Sequence, residues 1–99
     1  MWYAIEGYDG EQVLDRRRAA RERHLQRLVA LRDEGRLLLA GPCPAIDAED
    51  PGPAGFSGSI VIAQFPSLQD ARAWAEADPY VEAGVYVRVE VRPFRQVLP

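Results

Sequence analysis

A chain of 99 residues is the size of one domain, and 47% hydrophobic with 27% charged residues is a globular rather than a disordered composition. A net charge of −3 weighs against nucleic acid, which asks for a basic surface, and no apolar run approaches the roughly 20 residues that span a bilayer. One cysteine allows no internal disulfide and "MWYAIEGYDG" carries no secretory pattern, so the expectation is a cytoplasmic protein, with neither membrane nor nucleic acid as partner.

"WYAIEG" (2–7) is an aromatic and β-branched run closed by Gly7, which predicts a first strand. From Glu11 to Glu34 there is no Gly or Pro, and Leu14, Leu25, Leu28 and Leu31 recur at helical spacing, with Gly35 as the stop. This helix is locally basic through Arg16, Arg17, Arg18, Arg21, Arg23 and Arg27, which suits a small anion. "RLLLAGP" (36–42) predicts a buried strand. The loop 43–58 that follows, dense in Pro, Gly and Asp, is long enough to predict a lid.

"SIVIAQF" (59–65) predicts the third strand, and the Ser-x-x-acid signature "SLQD" opens a second helix to about Ala77. "DPYVEAG" then predicts one more turn, with Asp78 as N-cap, Pro79 at the first helical position and Gly84 as stop. In "VYVRVEVRPF" the residues Val85, Val87, Val89 and Val91 alternate with Tyr86, Arg88, Glu90 and Arg92, a strand with one apolar and one amphipathic face. The order β-α-β-β-α-β predicts an α+β, ferredoxin-like fold: a four-stranded antiparallel sheet with two helices on one face. The other face is left for a second subunit, which predicts a homodimer. A domain this short also gains from the extra burial.

On a helical wheel His24, Arg17 and Arg21 fall in the arc of the leucines, whereas Arg16 and Arg23 fall outside it. Two readings follow for the only histidine. It is a core-edge side chain bonded to backbone, with the arginine stems laid along the sheet. Alternatively it is a general base in a cleft, suited by a reference pKa of about 6.5, with Arg21 holding an anion. Asp78 is by pattern an N-cap. Cys43 at a loop entrance would need a nearby base to act as a nucleophile. The "AGP" turn at 40–42 could offer backbone N–H groups to an anion or be a plain strand end. One His and one Cys make no zinc motif, and no phosphate loop appears, so no metal and no cofactor are expected.

Taken together, "RERHLQRL", "DEGRLLLAGP", "DPGPAGFSGS" and "ADPYVEAGVYVRVEVRPFRQVL" resemble the YCII-related family from Tyr3 to the C-terminus. The resemblance implies a ferredoxin-like fold, dimers of the dimeric α+β barrel type, and an active site pairing a histidine with an aspartate, here His24 and Asp78. It also places Arg21 in the family's Arg-x-x-His segment and Gly41, Pro42, Gly58 and Ser59 in turns lining the same cleft. The segment Arg21-Glu22-Arg23-His24 lacks the proline usual there, but the Arg-to-His spacing is kept. The chemistry implied is proton transfer or elimination on a cyclic oxygenated substrate, as in a chlorohydroxyquinol dehydrochlorinase of the family or a muconolactone isomerase of the wider superfamily. The protein is then a lyase or isomerase acting on a small, anionic molecule. The competing class is a non-enzymatic small-molecule binding or regulatory protein using the same cleft.

Overall fold

The computed structural model describes all 99 residues. In chain order they form β1 (Trp2–Asp9), α1 (Leu14–Asp33), β2 (Leu37–Pro44), a 3-10 turn (Gly52–Ala54), β3 (Phe56–Gln64), α2 (Leu68–Glu76), α3 (Pro79–Glu82) and β4 (Tyr86–Phe94). The four strands make one sheet in the order β2-β3-β1-β4 with every neighbouring pair antiparallel. This is the ferredoxin-like α+β arrangement, with β1 and β3 at its centre.

The pleat sends Tyr3 and Ile5 of β1, and Val61 and Ala63 of β3, to one side, where they meet Leu28 and Leu31 of α1 and Ala71 and Ala75 of α2. Large apolar side chains buried in this way contribute roughly 1.5–3 kcal/mol each. A second cluster, Val13, Ala20, Tyr80 and Val85, closes the end of α1 near α3. The site lies between the two clusters. No helix is long and apolar enough to cross a membrane.

Three local boundaries differ from those expected. Helix α1 begins at Leu14 rather than Glu11, because Gln12 adopts a left-handed φ of 56° and breaks the helical run. The connection between β2 and β3 shrinks to residues 45–55, since β2 continues through Pro42 and Pro44. A sequence reader takes those prolines as breakers, but on an edge strand their missing N–H can point away from the ladder. The connection is closed at its base, where Ala45 N–H donates to Gly55 O (2.9 Å), and Pro51 and Gly55 are buried.

The third difference lies in β4. Tyr8 pairs with Arg88 but Asp9 pairs with Tyr86, so Val87 is the extra residue of a β-bulge. The bulge reverses the expected alternation at that point. Val87 is 73% exposed, and Tyr86 turns to the helix side, edge-on to Tyr80 with ring centroids 5.4 Å apart. Gly7 makes room for it, because a Cβ there would lie 2.3 Å from the Tyr86 ring.

Candidate active site

Arg17, Arg21 and His24 stand at i, i+4 and i+7 of α1 and so share one helix face. His24 is buried there, and its Nδ1 lies 2.9 and 2.8 Å from the two carboxylate oxygens of Asp78. Asp78, also buried, is the N-cap of α3, and its Oδ1 accepts the Tyr80 N–H at 2.8 Å. A carboxylate only accepts, so Nδ1 carries the proton and the lone pair of a neutral imidazole sits on Nε2. His24 forms part of the cleft wall, and Nε2 bonds no protein group.

Arg27 stands behind Asp78, its Nη1 3.9 Å from Oδ2. Its guanidinium lies over the Trp74 ring (4.3 Å) and donates to Trp74 O at 2.7 Å. Burial pushes the Arg27 pKa down, and the Asp78 charge offsets only part of this.

Tyr80 is the wall between the two basic ends of this face. Its ring stacks on His24 at 4.0 Å and lies 4.7 Å from the Arg17 guanidinium carbon. Arg17 and His24 are two turns apart, about 10.5 Å along the axis, so the ring fills the gap between them. Burial pushes the phenol pKa up, and the Arg17 charge opposes this only in part.

Arg17 is fixed on all sides. It donates to Asp9 from Nε (2.8 Å) and Nη2 (3.3 Å), to Gly58 O (3.0 Å) and to Ser59 Oγ (2.6 Å). Burial opposes its charge, but the hydrogen bond and attraction of Asp9 outweigh that and raise its pKa.

These side chains border two adjoining clefts. The inner one, about 240 Å³, lies between α1 and the β2–β3 edge and is lined by His24, Arg21, Gly41, Pro42 and Ser59. The outer one, about 290 Å³, is lined by Leu14, Arg18, Phe56 and the loop Asp50-Pro51-Gly52. Arg17, Arg21, Pro42 and Tyr80 belong to both.

The structure thus brings His24 and Asp78 into direct contact and sets Arg21, Gly41, Pro42 and Ser59 in the walls of the cleft that His24 lines. Two details depart from expectation. Arg21 is exposed rather than dry, reaching the cleft from the rim, and it bonds no protein group. Gly58 serves through its carbonyl, which Arg17 occupies. Cys43 lies in β2 away from both cleft walls. Sequence reasoning named Arg18 only as one of the basic residues of the first helix, and it missed Tyr80, Phe56 and the Asp9 partner of Arg17. Only Tyr80 had a signal, as the aromatic residue after the capped "DP".

The amino-acid sequence matches the YCII-related domain over residues 1–95. The chain belongs to the YCII-related family. Among its relatives, Protein YciI of Escherichia coli O6:H1 and of Shigella flexneri are each 58% identical over 97 residues, covering 98% of this chain and 99% of theirs. An uncharacterized protein of Haemophilus influenzae is equally similar, 58% identical over 97 residues. Among solved structures, the 5-chloro-2-hydroxyhydroquinone dehydrochlorinase (TftG) of Burkholderia phenoliruptrix AC1100, in complex with 2,5-dihydroxybenzoquinone, superposes with a TM-score of 0.82. That match covers 96% of this chain and 94% of the other at 22% identity, and so it speaks to the fold. The two proteins therefore share the ferredoxin-like fold.

Proposed function

We propose that this protein is a small-molecule enzyme of the YCII-related family that moves a proton on a cyclic oxygenated substrate, with His24 as general base. The observation that carries the reading is the buried Asp78–His24 contact, which leaves Nε2 free at the wall of a cleft. In the reaction, Nε2 takes a proton from a ring carbon next to a carbonyl, or from a ring hydroxyl, and Asp78 stabilises the imidazolium. The electron pair moves onto the ring oxygen, where Arg21 donates to the developing oxyanion. If a halide lies beta to the lost proton it leaves with the electron pair, which is elimination. If the imidazolium returns the proton to another carbon, the outcome is isomerisation.

The test is turnover of chlorinated hydroxyhydroquinones and unsaturated lactones, followed by chloride release and by deuterium uptake from solvent. His24→Gln should lower the rate by at least about 10²-fold while leaving the fold intact. Saturable binding of 2,5-dihydroxybenzoquinone without turnover or deuterium exchange of any substrate would instead make the protein a binding module.

The same reading includes a homodimer joined through the sheet face that the helices leave bare. Ile60 and Leu39 stand exposed on that face, and Ile62 lies beside them. Its charges already pair with one another, Arg92 with Glu6 and Arg88 with Glu90 (3.4 Å), which supports packing against a second copy.

A further inference from the structure

The outer cleft enters the chemistry above only through Arg21, which it shares with the inner one, and its other walls differ. Arg18 points along it from α1 with a single contact, to Asp15 at 4.0 Å, between two exposed side chains. A pair so exposed contributes little, so the Arg18 charge is largely free for a ligand. Arg21, shared by both clefts, has no protein partner, whereas the charge of Arg17 is matched by Asp9. The one acid at the rim, Asp50, is turned to its own loop and accepts the Gly52 N–H at 3.0 Å. Phe56 supplies an apolar wall. Arg18, together with Arg21, which has N–H groups beyond the one that meets the ring oxygen, faces a single turned-away carboxylate, and this leaves the chamber attractive to an anion.

Size points the same way. Ligand clefts usually measure about 300–1,000 Å³, and the inner cleft of about 240 Å³ falls below that range, whereas the two joined fall inside it. Along α1, Arg21 is three residues and Arg18 six residues from His24, about 4.5 and 9 Å. An anion held by this pair lies one ring and a short arm away from the imidazole.

We infer that the outer cleft is a second subsite that binds a carboxylate arm of the substrate, so that the substrate is a hydroxylated ring bearing a short acidic side chain rather than a bare ring. The inference rests on the placement of the ring at His24 proposed above, and the experiment separates the two. The probes are hydroquinone, 2,5-dihydroxyphenylacetate, 3-(2,5-dihydroxyphenyl)propionate and the methyl esters of both acids. Their affinities are measured by calorimetry at low and high salt, with the ¹⁵N resonances of the His24 ring and of Arg18 Nε followed in parallel.

At least one acid should bind about tenfold or more tighter than its ester. That ratio should shrink with added salt and fall towards one in Arg18→Gln. Acids that bind no tighter than their esters, or a ratio that survives in Arg18→Gln, would overturn the subsite. If hydroquinone still shifts the His24 ring in that case, the ring site stands without the arm. If the acids shift Arg18 Nε while no probe shifts His24, the carboxylate subsite stands and the ring placement falls.

Discussion

One carboxylate, that of Asp78, caps α3 through Oδ1 and holds the imidazole of His24 with both oxygens. The two duties separate by substitution. Asp78→Asn should melt close to the parent, because Asn caps about as well as Asp. Its amide can present N–H to Nδ1, however, and so release the fixed tautomer. Long-range ¹H–¹⁵N spectra should then show the Nδ1–H form giving way to a mixture, with turnover down about 10²–10⁴-fold. An unchanged tautomer in Asp78→Asn would remove Asp78 from the mechanism. Arg17 tests another kind of residue. Its side chain and that of Asp9 are 7% and 2% exposed, so Arg17→Met leaves a buried carboxylate unpaired. Urea unfolding should show a loss of about 3–5 kcal/mol. Adding Asp9→Asn to that variant should recover part of it.

At the level of elements, the site depends on how β4 meets β1. The bulge at Val87 lets Tyr86 and Arg88 of one strand lie on opposite faces, the first beside Tyr80 and the second on the bare side of the sheet. Gly7 is the matching feature in β1, since any side chain there would strike the Tyr86 ring. Gly7→Ala should therefore cost about 1–3 kcal/mol in chemical denaturation, as overpacking does, despite the gain in strand propensity. A crystal structure of the variant should show the Tyr86 ring displaced. If Gly7→Ala is as stable as the parent, the close approach of Tyr86 is not a constraint. The cap of α2 is simpler. Ser67 Oγ accepts the Asp70 N–H at 3.1 Å, as its spacing predicts.

For the whole molecule, two phenols set the alkaline limit. Burial pushes the pKa of Tyr80 and of Tyr86 above the ordinary phenol value of about 10. Between that value and the folded ones, the native state binds more protons than the unfolded state. The contribution is thus fully present below pH about 10 and lost as pH rises through the folded values. Unfolding free energy should be level from pH 8 to 9.5 and fall beyond 10, with a shallower fall in Tyr86→Phe. An equal slope in both proteins would take Tyr86 out of this account. The proposed dimer is tested at the same scale. Light scattering should give about twice the 11.1 kDa of one chain. Ile62→Arg, on the bare face, should shift the mass towards one chain without unfolding it.

The amino-acid sequence by itself determined the element order, the two helix caps at Ser67 and Asp78, and the shared face of Arg17, Arg21 and His24. Each is a local matter of backbone preference or fixed helical period, so a window of a few residues contains it. The resemblance of its motifs to the YCII-related family, not spacing alone, singled out Asp78 as the partner of His24. Only the tertiary structure brought those two residues, 54 apart in the chain, to 2.8 Å. It alone turned Tyr86 inward through a bulge, seated Tyr80 between Arg17 and His24, and matched Arg17 to Asp9. These depend on strand register and on which side chains fill the space between two packed layers. Register is set by cooperative pairing along the whole of a strand, and one extra residue in β4 is enough to turn Tyr86 to the helix side.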